Sequence, residues 1–399
     1  MGIKYLGKFL RDKCGGFQPP SNLQSLKGKV IVVDVSIYLY KYAIISRLME
    51  SMYIMISTFL KYGIIPVFVF DGKPPKEKKD TLKTRREKRR QAWERYDELV
   101  RIMEDEEDKS DENRKQELQL EIAMVKKKTV TIKPDEISQV KGLLDAFGVK
   151  YLEAPGEADT LCAYLVHIGA AYACMSDDMD MFAYGCPRIL RFVNIHKSTG
   201  EMYHLEEILA KLGLSLVEFR RLCILSGTDY NGAVGTAAAA TEGYADGTAD
   251  DTANEFEVMD KNNNINCYGD DDEKRRWMQN GSMIYTIYDQ IIEEKTSGIL
   301  NEEVDDSQSQ NNFEENFEEE NSVKEECIEA DADDDNASDD DKSTASTKYR
   351  KIYTMFDIMT NTEEYHPALI PYKDLQMEIV RPPDIHEVEK IMKPNHFYF

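Results

Sequence analysis

The chain has 399 residues, enough to bury a sizeable core, and length alone predicts two or three domains. Its formal net charge is −24, but residues 302–341 hold 19 acids and one lysine; that balance of −18 leaves −6 for the rest, so the low pI does not exclude a nucleic-acid partner. No apolar stretch approaches the ~20 residues of a membrane span, and seven scattered cysteines without a Cys-x-x-Cys pair argue against structural zinc and a disulfide framework, in keeping with a reducing compartment.

The start of the chain reads as a helix without signal-peptide character, and Leu6 stands where a myristoylation signal has Ser or Thr. The run Val30–Val33 predicts a buried strand ending at Asp34. A helix through Tyr38–Leu60 follows, then a second strand, Val67–Phe70, ending at Asp71. From Lys73 to Arg90 there are ten Lys or Arg and three acids, a local excess that attracts phosphate if it is more than a solvated helix face. Charged residues at helical spacing continue from Thr81 to about Lys128, with few apolar anchors, so this helical stretch is expected to stand away from the core.

Alternation of helix and strand resumes at 135–230: a helix over Ile137–Phe147, a strand over Val149–Leu152, a helix from about Glu157 to His167, a strand over Tyr172–Met175 and a helix over Leu216–Leu225. Such alternation predicts an α/β fold, a mainly parallel central sheet flanked by helices. Beyond Asp229, Gly232 to Asn266 is rich in Ala, Gly, Thr, Asp and Asn without apolar period, a helix returns near Lys274–Glu294, and 301–347 is expected to be disordered. The segment Tyr349–Phe399 regains aromatic and apolar residues and is expected to pack back onto the body.

Seven acids fall at the strand ends and loops of this pattern: Asp34, Asp71, Glu157, Asp159, Asp178, Asp180 and Asp229. Taken singly, each has a bland reading as a helix cap or turn residue. Together they place carboxylates along the carboxyl edge of the sheet, where open α/β folds bind ligands. Oxygen donors without histidine suit a hard divalent cation, and like charges gathered without one would push some carboxyl pKa values up. Two such cations can serve a phosphodiester hydrolysis by activating water, polarising phosphorus and relieving charge on the leaving oxygen.

The stretches Met1-Gly2-Ile3, Asp34-Val35-Ser36 with Tyr40, Val67–Pro75, Ala154-Pro155-Gly156-Glu157-Ala158-Asp159, Asp178-Met179-Asp180 and Leu222–Tyr230 resemble the XPG family of structure-specific 5′-nucleases, flap endonucleases among them. The resemblance covers residues 1 to about 230. It implies a PIN-like 5′-nuclease fold with a helical arch, and two Mg²⁺ ions, replaceable by Mn²⁺. Asp34, Asp71, Glu157 and Asp159 would serve the first metal, and Asp178, Asp180 and Asp229 the second. Asp159 stands where the family usually has Glu. Glu157, Lys78 and Arg85 are the implied catalytic residues, the two bases neutralising charge at the scissile phosphate. Gly2, Tyr40, Arg47, Lys78, Arg85, Gly232 and Gly235 are the implied DNA contacts, with Gly2 next to the site after loss of Met1.

On this reading 1–98 is an N-terminal nuclease region, 99–134 an arch or linker, and 135–230 an internal nuclease region. A degenerate C-terminal helical region (231–300), the acidic segment (301–347) and a tail (348–399) follow. Two departures stand out. The spacer from Arg47 to Val67 is short, and after Gly232-Ala233-Val234-Gly235 the basic residues that grip duplex DNA in this family are replaced by alanines. No Gln-led sliding-clamp motif is present; Phe397-Tyr398-Phe399 lacks the Gln. The partner is expected to be branched or flapped DNA, without a membrane, for a monomer acting in replication or repair in a nucleus (a host nucleus if the chain is viral). Two alternatives stand beside it: a catalytically weak DNA-binding scaffold, and an RNA-directed nuclease.

Overall fold

Two apolar runs set the frame. In the computed structural model, which describes residues 2, 3, 5–15, 21–105, 112–230, 271–296, 345–357, 369, 372 and 381–395, β2 (Val30–Asp34) and β3 (Ile65–Phe70) lie side by side and parallel. Their side chains alternate between two separate cores. Val32, Val67 and Val69 join one cluster, whereas Ile31, Val33, Phe68 and Phe70 join the other. A strand buried on both faces needs apolar residues at every position, which is why these runs are continuous rather than alternating.

The sheet has seven strands in the order β1-β7-β6-β5-β2-β3-β4. The five strands β6, β5, β2, β3 and β4 are parallel; β7 and β1 complete one edge antiparallel. Here β1 is Ser21–Asn22, β4 Tyr151–Glu153, β5 Ala173–Met175, β6 Arg188–Asn194 and β7 Thr199–His204. The chain lays β3 and β4 on one side of β2 and then returns to place β5 and β6 on the other. The carboxyl end of β2 is therefore a switch point, the position at which such sheets open a crevice.

One face is covered by α1 (Leu6–Cys14), α7 (Ala158–His167), α8 (Asp180–Ala183), α9 (Leu205–Leu212), α10 (Leu216–Ser226), α11 (Asp271–Thr296) and α12 (Ala345–Phe356). The other carries α2 (Val35–Ile44), α3 (Leu48–Lys61), α6 (Pro134–Ala146) and α13 (Ile385–Met392). Between them α4 (Lys79–Asp105) and α5 (Glu112–Lys128) form a hairpin, with Leu99 and Leu118 buried and Arg95 paired to Glu121 at 2.7 Å. Among the described residues no helix is long and apolar enough to cross a membrane, and Cys14, Cys162, Cys174, Cys186 and Cys223 are buried free thiols.

Several expectations need correction. The helix expected through Tyr38–Leu60 is two, α2 and α3, broken where Ser46 takes φ 55° and Arg47 turns the chain out of line. No Gly or Pro marks that break. A division at 98/99 would cut through α4, which runs unbroken from Lys79 to Asp105. The helix α12 starts at Ala345, inside the segment expected to be disordered to 347, whose remainder lies outside the described residues. The β6–β7 hairpin and α9 went unanticipated. The expected return of the chain's last stretch does occur: Ile352 and Phe356 bury against one core, Val388 and Met392 against the other.

Candidate active site

Asp34 closes β2 and caps α2, its Oδ1 accepting the Ser36 N–H at 3.3 Å. Asp71 follows β3 and accepts the Ala158 N–H at 2.8 Å, so its carboxylate sits on the N-terminus of α7, where the helix dipole favours negative charge. Glu157 is the residue before α7 and Asp159 the second within it. Asp178 follows β5 and accepts the N–H of Asp180 at 3.1 Å. These six acids, at the ends of β2 and β3 and in the turns and helix starts beyond β4 and β5, thus share one edge of the sheet.

Asp229 arrives from the end of α10, after Gly227 turns the chain at φ 101°. It is tied to the start of α4. Arg85 Nη2 lies 2.6 Å from Asp229 Oδ2, and Thr81 donates to the Asp229 carbonyl at 2.6 Å. Lys78 bridges the two halves, 2.5 Å from Glu157 Oε1 and 3.9 Å from Asp229 Oδ2. Burial alone would lower the Lys78 ammonium, but Glu157 and then Asp229 outweigh it and hold it above the usual lysine range.

Gly2 completes the floor. A methyl group there would stand 2.2 Å from Asp178 Oδ1 and 2.5 Å from Asp180 Oδ1, and its φ is 84°. Both facts require glycine. Gly2→Ala is expected to displace one carboxylate; if the nuclease activity implied by the sequence is right, single-turnover cleavage should fall roughly a hundredfold against the parent, the cost of about 1 Å of misplacement.

The acids are electrostatically one group. Asp34, 4% exposed, is pushed up to about 7 by burial first and then by Asp71 and Asp178. Burial, then Asp34 and Asp178, raises Asp159; burial, then Asp178 and Asp229, raises Asp180. Among the described residues no three acidic, His or Cys side chains close into a ready coordination shell. Yet the buried oxygens Asp159 Oδ1 and Asp180 Oδ1 have no hydrogen-bond donor among the described residues. Orphaned carboxylate oxygens within an all-oxygen donor set fit a hard cation.

A pH dependence follows. Asp34 binds its proton more tightly folded than unfolded, so the metal-free protein loses stability as pH rises from about 4 through about 7. For this group alone the loss is on the order of 4 kcal/mol. Urea unfolding at pH 5 and pH 8 should show it, with Mg²⁺ reducing the slope; a metal-free stability that rises across this range would contradict the clustering.

Not every expected residue joins the cluster. Tyr40 stands 42% exposed on α2, rather than in the core where tyrosines on such helices usually sit, and Arg47 pairs with Glu50 at 3.6 Å. Gly232 and Gly235 lie outside the described residues. Other residues were missed. Ser36 donates to Asp71 Oδ2 at 2.5 Å, and Ser176, fully buried, donates to Asp34 Oδ2 at 3.0 Å. Tyr230 donates to Glu157 Oε2. Their signal was proximity in sequence to the acids: Ser36 and Ser176 lie two positions from Asp34 and Asp178, and Tyr230 follows Asp229.

Residues 1–92 match the XPG N-terminal domain and residues 148–229 the XPG I-region. Similar proteins include flap endonuclease 1 of Leishmania braziliensis, 32% identical over 252 residues (58% of this chain, 60% of that protein). Flap endonuclease 1 of Homo sapiens is 30% identical over 249 residues, 58% and 62% of the two chains. The chain thus spans about three fifths of these relatives' length. Among solved structures, flap endonuclease-1 from Methanococcus jannaschii is 31% identical, covering 55% of this chain and 71% of that one with a TM-score of 0.37. The catalytic core of Rad2 in complex with DNA substrate is 20% identical, covering 98% and 95% with a TM-score of 0.49. The first matched region holds Asp34, Asp71, Lys78 and Arg85 and the second holds the other five acids, and the chain carrying both belongs to the XPG family.

Proposed function

We propose that this chain is a Mg²⁺-dependent, structure-specific 5′-nuclease that cuts branched DNA beside a single-strand/double-strand junction, in replication or repair. The observation that carries this reading is the meeting of seven acids from both halves of the chain with Lys78 and Arg85 at one sheet edge. Asp34, Asp71, Glu157 and Asp159 would hold one Mg²⁺, and Asp178, Asp180 and Asp229 a second, with Mn²⁺ able to substitute. When bound, the ions supply charge stabilisation for an in-line displacement at phosphorus.

The protein's own groups have separable tasks. Lys78 and Arg85, now paired to Glu157 and Asp229, would exchange those carboxylates for phosphate oxygens when metal takes up the acids; Arg85 can hold two oxygens at once. Lys78 directly precedes α4 and Arg85 lies in its second turn, so moving the α4–α5 hairpin moves them. The hairpin would form the arch that a 5′ single strand passes, Tyr40 would stack on a base, and Gly2 and Arg47 would line the DNA path. Partner and place follow from this reading: a monomer on flapped DNA, in a nucleus.

Single-turnover cleavage of matched DNA and RNA 5′-flaps, beside Asp178→Ala, tests the proposal. The DNA flap should be cut and the variant should be inactive. Equal rates for parent and variant would leave a binding scaffold, and a strong RNA preference would move the substrate class.

A further inference from the structure

Helix α12 reaches the site from far along the chain. Phe356, fully buried, packs its ring 4.8 Å from that of Tyr184 and 5.6 Å from that of Tyr230. The two tyrosine hydroxyls lie 3.1 Å apart, and the Tyr230 hydroxyl donates to Glu157 Oε2. The ring of Tyr230 also lies 5.5 Å below the ammonium of Lys78, which binds the other oxygen, Glu157 Oε1, at 2.5 Å. One turn earlier on α12, Lys351 pairs at 2.9 Å with Glu77, the neighbour of Lys78. At its end Asp357 pairs at 3.1 Å with Arg220, whose Nε donates to the carbonyl of Ala183, beside Tyr184.

We infer that α12 is a working part of the candidate metal site: Phe356 and Tyr230 are positioning residues that fix the Glu157 carboxylate. In the metal-free protein both oxygens of Glu157 are held, one by Tyr230, which Phe356 packs against, and one by Lys78; when Lys78 turns to phosphate, the Tyr230 bond is the one that stays to orient the carboxylate. A carboxylate held by a single donor can swing about its terminal torsion, whereas two donors on opposite oxygens fix its plane. Donors that orient a ligating carboxylate govern how well it meets a cation, and their loss typically costs ten- to a hundredfold in metal affinity or activity. The inference rests on the metal-site reading above and adds that the site is incomplete without α12.

The experiment is a Mn²⁺ titration of the full chain by calorimetry without DNA, followed by single-turnover cleavage across Mg²⁺ concentration. Tyr230→Phe removes only the hydroxyl, and Phe356→Leu keeps the core filled while removing the ring. Both should weaken Mn²⁺ binding roughly tenfold and slow cleavage most at low Mg²⁺, with the rate partly restored as Mg²⁺ rises. Phe59→Leu, equally buried in the core on the opposite face of the sheet, should lower Tm but leave Mn²⁺ affinity unchanged. If Tyr230→Phe and Phe356→Leu bind Mn²⁺ as the parent does, the positioning role is wrong while the metal site stands. If the parent itself binds no Mn²⁺, the metal-site reading fails and takes this inference with it.

Discussion

Asp180→Asn is expected to abolish Mg²⁺-dependent cleavage, by about a thousandfold or more, and at the same time to stabilise the metal-free protein. The carboxyl is 2% exposed and lies among Asp178, Asp229 and Glu157, with Lys78 the cation that offsets them. Burial and those neighbours raise its pKa, so ionising it in the absence of metal costs free energy that an amide of the same shape does not incur. The gain should therefore grow as pH rises and the buried carboxyl is forced to ionise. A cation reverses the sign, because the ionised acid is what binds it. Removing one ligand then costs several kcal/mol at the transition state, about 1.4 kcal/mol for each factor of ten. Thermal unfolding with and without Mg²⁺, beside single-turnover rates, reads both effects; a variant less stable than the parent at pH 8.5 without metal would show that the acids do not repel one another.

Lys78→Ala and Arg85→Ala should each reduce the single-turnover rate by about a hundred- to a thousandfold, the usual loss when one donor to developing negative charge is removed. Their stability effects run opposite to that of Asp180→Asn. Lys78 is the cation nearest to Glu157, and taking it away leaves Oε1 without its 2.5 Å partner among like charges. The metal-free Lys78→Ala protein should accordingly melt lower than the parent, and Mg²⁺ should recover part of the difference. Arg85, more open and paired only to Asp229 in this cluster, should lose rate with little change in Tm. Arg85→Lys keeps the charge but not the two-pronged geometry, so it should recover only part of the rate. Full activity in Lys78→Ala or Arg85→Ala would remove the pair from the reaction.

Part of this was legible in the sequence for a plain reason. The runs ending at Asp34 and Asp71 are buried on both faces, so each side chain had to be apolar until the edge was reached, and the first carboxylate marks the edge. The same logic placed Asp178 and Asp180 beyond β5. What escaped notice depends on contacts rather than composition. The break at Ser46 carries no Gly or Pro, and β6 has a bulge between Arg191 and Asn194 that spoils its alternation. Its partner β7 pairs antiparallel across Ile195–Ser198, a turn without a strong hairpin signature. In the site, Tyr230 and Glu157 meet across 73 residues, and Phe356 reaches both tyrosines from a helix beyond the acidic segment. Nothing local in the sequence joins them.

The most direct measurement is the length of the product released from a 5′-labelled flap DNA in Mg²⁺. One principal cut is expected within a nucleotide or two of the junction, lost on chelation and lost in Asp178→Ala. Cleavage spread evenly along the single strand, or an unchanged product ladder in excess chelator, would contradict it.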